Sequence, residues 1–128
     1  MAEMSNYLEG ALINATLRNT SYTSPATVYL GLYTSDPTDA DTGTEVSGNG
    51  YARQAITFGA PSDGVSTNSA AIEFPQATGS WGTVAYVGIR DASTSGNLLF
   101  HTALDASKAI ATGDVFRIAI GSLSVAFA

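Results

Sequence analysis

Met4, Leu8, Ala11, Leu12 and Ala15 recur at three- and four-residue intervals with Tyr7 beside them, which predicts an amphipathic helix of about a dozen residues. Ser5 is suited to cap its start, and Asn19 begins the turn-forming run up to Pro25 that ends it near Arg18. From Thr27 the period changes to two. Val28, Leu30 and Leu32 alternate with Tyr29, Gly31 and Tyr33, the pattern of a half-buried strand. A polar loop follows from Thr34 to Gly50, carrying Asp36, Asp39, Asp41 and Glu45, and it belongs at the surface.

Tyr51 to Phe58 alternates again, although Arg53 and Gln54 each spoil one face and leave the inward side undecided. After a turn at 59–64, a strand places Ala70, Ile72 and Phe74 inward and Glu73 outward, and Pro75 stops it. Thr83 to Arg90 is apolar on both faces and is expected at the centre of a sheet. The segment from Asp91 to Asn97 turns the chain into Leu98 to Leu104, and shorter runs follow at Lys108 to Ala111, Val115 to Ile120 and Leu123 to Phe127. The expected fold is all-β: an antiparallel β-sandwich or flattened barrel of seven to eight strands with one N-terminal α-helix. Residues 1–128 are read as a single domain, with 1–22 as helix and connection and 26–128 as the sandwich.

Composition narrows the chemistry. With no cysteine, packing and hydrogen bonds must supply the stability, and thiolate metal sites and cysteine nucleophiles are excluded. Five basic residues against eleven acidic ones leave a formal charge of -6, which opposes nucleic acid and anionic lipid as partners. Arg18, Arg53, Arg90, Lys108 and Arg117 are scattered along the chain. No apolar run is long enough to cross a bilayer, and the first residues lack the features of a secretion signal, so a chain made without an export tag is expected.

No catalytic constellation emerges. His101 is the sole histidine, reads as an outward-facing strand residue, and has no Gly-x-Ser-x-Gly elbow to serve. Most carboxylates fall in turns, where they read as solvated turn formers and not as a glycosidase pair. The acidic loop departs from the EF-hand pattern, because Gly43 follows Asp39 by four positions and no glutamate stands at the twelfth place. No metal and no cofactor is expected. Gly48-Asn49-Gly50 precedes a strand, so it lacks the helix N-terminus on which a phosphate would sit. The aromatic residues remain as the lead to function: Tyr7, Tyr22, Tyr29, Tyr33, Tyr51 and Trp81 are the candidates for protein contact.

Several segments together carry a family resemblance: Ala26 to Pro37, Gly43 to Ala55, Asn68 to Pro75, Gly79 to Val84 and Gly88 to Ala92, with the opening Ser5-Asn6-Tyr7-Leu8. The chain resembles a family of short phage virion structural proteins labelled as tail fibre proteins. The resemblance implies a non-enzymatic component of the particle exterior, either a tail fibre or tail accessory subunit or a capsid decoration protein. Its partners would be other virion proteins and further copies of itself, with a homotrimer as the first expectation. The rival is a carbohydrate-binding module that recognises host surface glycans through Trp81 and Tyr51.

Overall fold

The structure, a computed structural model, describes residues 2–126. Its elements in chain order are β1 (Glu3–Met4), α1 (Asn6–Leu17), β2 (Val28–Tyr33), β3 (Gln54–Ile56), β4 (Val65–Thr67), β5 (Ile72–Glu73), β6 (Gly82–Arg90), β7 (Leu98–Ile110), β8 (Arg117–Ile118) and β9 (Ser124–Ala126). All strand pairs are antiparallel. Five strands form the main sheet in the order β1-β7-β6-β2-β3, and two ribbons, β4-β9 and β5-β8, stand apart from it. The fold is therefore all-β and sandwich-like with one helix.

The helix forms as its sequence dictates. Ser5 caps it by accepting the backbone N–H of Leu8 on its hydroxyl, and the chain leaves it through Asn19 in the left-handed region. Leu8 is buried, Ala11, Leu12 and Ala15 are half-buried, and Tyr7 lies on the exposed side instead of joining them. Ahead of the helix, β1 pairs with β7 and puts Glu3 opposite His101, an edge strand that the pattern of apolar residues gave no sign of.

β6 occupies the centre of the main sheet, as its two apolar faces require. Beside it, β2 sends Val28, Leu30 and Leu32 into the core and turns Gly31 and Tyr33 to the opposite face, where the acidic loop covers them. Gly31 stands opposite Gly88 in the ladder. A Cβ on Gly88 would lie 2.8 Å from both Leu98 Cδ1 and Tyr33 Cε1, and one on Gly31 would lie 2.8 Å from Glu45 Oε2. These two glycines thus make the slot that the Tyr33 ring fills, a close approach that only a missing side chain permits.

The core joins Leu30, Leu32, Val84, Val87 and Ile89 of the main sheet to Ile72, Phe74, Phe116 and Leu123 around the ribbons. Ile56 and Phe58 settle the ambiguous strand: they face this core, and Arg53 faces the other way. Three expectations need correction. The runs at 98–104 and 108–111 are one strand, β7, with a register shift between Val84 and Tyr86 of β6 that absorbs residues 104–107 as a bulge. Ala70 is exposed, because β5 is confined to Ile72–Glu73. The single strand expected after the turn at 59–64 is two, Val65–Thr67 (β4) paired with β9 and Ile72–Glu73 (β5) paired with β8, and Phe127 at the end of the last expected strand lies outside the described residues.

Candidate functional site

Charged groups read as solvated or scattered gather on one face of the main sheet. The loop at 34–50 folds back over β2, with Thr34 donating its N–H to Thr44 and Val46 donating to Leu32. Its carboxylates then meet two arginines. Glu45 takes Arg53 on both oxygens at 2.8 Å and accepts the Tyr51 hydroxyl at 2.6 Å. The same guanidinium donates from Nη1 to the carbonyls of Ala92 and Ser95, which ties in the β6–β7 turn. Asp41 receives Arg90 in a two-pronged contact at 2.8 and 2.9 Å, and Arg90 also reaches the Tyr33 hydroxyl and the Gly96 carbonyl. Two arginines that the sequence leaves far apart thus clamp one loop and one turn to the sheet.

The electrostatics follow from this geometry. Burial by itself would raise the Glu45 carboxyl, but hydrogen bonds from Arg53 and Tyr51, with the charges of Arg53 and Arg90, hold it below the usual glutamate range. Burial, and next the hydrogen bond to Glu45, push the Tyr51 hydroxyl far above the ordinary phenol value. Arg90 is held well above its usual value, since Asp41 and Tyr33 outweigh the burial that acts against its charge. A carboxyl depressed in the folded state contributes stability that is complete above its unfolded value and is lost as pH falls through its folded value. Urea midpoints of wild type and Glu45→Gln should therefore differ most at neutral pH, and the gap should close as pH falls below about 4.5.

The aromatic candidates divide by location. Tyr33 and Trp81 are 1% and 4% exposed, which corrects the expectation that they present rings outward. Trp81 packs edge-on to Tyr51 and Phe74, and its indole N–H donates to the Asn49 carbonyl at 2.9 Å. Tyr51 is half-buried, stacked parallel to Phe74, and its hydroxyl accepts the Leu32 N–H. Tyr22 and Tyr29 are half-buried, and Tyr7 is 45% exposed. The most exposed large apolar side chains on the helix are ones the aromatic reading passed over: Ile13 at 53% and Leu17 at 79%. Their spacing of one helical turn was a signal available in the sequence.

His101 also departs from its reading. It is 5% exposed, and its Nε2 lies 2.7 Å from Asp39 Oδ1 beneath the same loop. Among the described residues, Glu3, Asp39 and His101 are one group whose side chains could hold a metal ion. No described helix is long and apolar enough to cross a membrane.

An antiparallel sandwich whose buried arginines fasten loops to the sheet defines a rigid structural module. The family described as podophage GP4 fiber I protein gp80 matches residues 3–126, and the chain belongs to that family. It is a component of the phage virion, a fibre structural protein that works among other virion components. No curated protein matches the chain.

Proposed function

We propose that this protein is a non-enzymatic subunit of the tail fibre that acts through protein–protein contacts, folds as one unit, and assembles with copies of itself, a homotrimer being the arrangement that analogy with virion fibres suggests. The observation that carries the contact surface is the exposed side of α1, where Ile13 and Leu17 lie one turn apart and are free of the core. A helix docked along β7 adds apolar area for a neighbour without disturbing the sandwich beneath it. Few charges elsewhere allow repeated copies to approach closely. The non-enzymatic reading is supported by the loop carboxylates Asp41 and Glu45, which are engaged in fastening that loop. The family description favours the fibre over capsid decoration. The glycan-binding alternative loses support, because Trp81 is in the core and Tyr51, the other ring on which it rested, is half-buried and stacked on Phe74.

Ile13→Ser with Leu17→Ser is the test. The double variant should melt with a change equivalent to about 0.5 kcal/mol or less per exposed site. Its oligomer, measured by light scattering behind a sizing column, should dissociate, and its incorporation into particles should fall. Unchanged assembly would refute the helix as the contact surface. A wild-type protein that stays monomeric at high concentration would refute self-assembly.

A further inference from the structure

We propose that Glu3, Asp39 and His101 form a binding site for a first-row divalent cation of the Zn²⁺ kind. The three residues come from β1, the 34–50 loop and β7, so no spacing rule along the chain reveals them. Each is held in place by the backbone. Glu3 is the direct cross-strand neighbour of His101, and Asp39 is anchored by its carbonyl, which accepts the Asn6 N–H at 2.8 Å. The ligand atoms all lie within 4.8 Å of one another. His101 Nε2 is 2.7 Å from Asp39 Oδ1 and 3.8 Å from Glu3 Oε2. In a tetrahedral zinc site with bonds of about 2.0–2.1 Å, donor atoms stand roughly 3.3 Å apart, so these two distances bracket the separation required. The two carboxylates are 73% and 49% exposed and can make the small remaining adjustment.

The imidazole supplies the second line of argument. It is almost wholly buried and aims Nε2 at two carboxylates, while Asp36 lies 3.8 Å from Nδ1 on the other side of the ring. Asp36 thus stands on the Nδ1 side, where the carboxylate partner of a histidine that ligates through Nε2 belongs. Three carboxylates surround the ring on a chain of net charge -6, and a divalent ion would offset two of their charges. A cleft of about 220 Å³ lined by Glu3, Asp36, Tyr86, His101 and Thr102 opens beside the ring and leaves room for water near Glu3. One nitrogen with carboxylate oxygens suits Zn²⁺ and its neighbours better than Ca²⁺ or Mg²⁺. Bound there, the ion joins the edge strand, the loop and β7, and so stabilises the folded state.

The test uses the untagged full chain, whose one histidine gives a single set of imidazole NMR signals. Titration with ZnCl₂ should shift the ring nitrogen signals to saturation at one equivalent and raise the melting temperature, with MgCl₂ and CaCl₂ far less effective. Asp39→Asn and Glu3→Gln, both at exposed side chains, should each weaken Zn²⁺ binding by about tenfold or more while leaving the circular dichroism spectrum unchanged. Ring signals that respond to pH and ignore millimolar Zn²⁺ would overturn the proposal. So would Zn²⁺ binding of equal strength in both variants, which would put the ion elsewhere on the chain.

Discussion

Trp81→Ala will lower the unfolding free energy by about 3–5 kcal/mol, enough to drop the melting temperature by roughly 10–20 °C. The indole is in the core, between Tyr51 at 5.5 Å and Phe74 at 6.5 Å between ring centres, and its removal leaves a large void in close-packed surroundings. Trp81→Phe should cost much less, about 1–2 kcal/mol, because a ring still fills most of the space. The Asn49 carbonyl also keeps the Thr78 N–H as a donor when the indole N–H is gone. Urea unfolding followed by far-ultraviolet circular dichroism measures both variants. In the wild type the only tryptophan should fluoresce at short wavelength and resist quenching by acrylamide. Loss of particle or partner binding in Trp81→Ala with full stability retained would return this ring to the surface.

Arg90→Met should cost about 3–5 kcal/mol, the range for breaking one side of a buried ion pair. The loss comes from what the arginine leaves behind: the buried Tyr33 hydroxyl without its donor, the Gly96 carbonyl, and Asp41 without its counter-charge. Arg90→Lys should recover little, because an ammonium group cannot span both Asp41 oxygens and reach Tyr33 and Gly96 at once. Asp41→Asn should be milder, about 1–3 kcal/mol, since the Asp41 side chain is 35% exposed and water already screens it. Hydrogen exchange gives the local readout. In Arg90→Met the amides of Thr34, Thr42 and Val46, which hold the loop, should lose protection ahead of those in β6. Uniform loss across the sheet would mean that Arg90 holds the core and not the loop.

The helix and the long strands were legible because they depend on neighbours in the chain. Ser5 and the helical spacing of Leu8 and Leu12 set α1, and the alternation of Leu30 and Leu32 set β2. β7 was read in two pieces because residues 104–107 break the alternation, and only the partner strand β6 shows them as a bulge within one element. β1 leaves no sign in the pattern, since two residues carry no period, whereas β8 lies within the expected run of Val115 to Ile120 and is shorter than it. The aromatic reading failed at Tyr33 for a related reason: alternation identifies two faces of a strand, not what later covers the second one.

What the sequence by itself determined is the class: an uncrosslinked, acidic, strand-rich chain with one capped helix, whose turn and strand motifs belong to phage fibre proteins. Those features are written in contiguous residues. The partners of its charged groups were decided by tertiary structure alone. Arg90 meets Asp41, Arg53 meets Glu45, and His101 meets Asp39 and Glu3 only after the 34–50 loop and the first strand close over the sheet. Coulombic and hydrogen-bonded pairing acts over a few ångströms of space and is indifferent to the 49 or 62 residues that separate the partners along the chain.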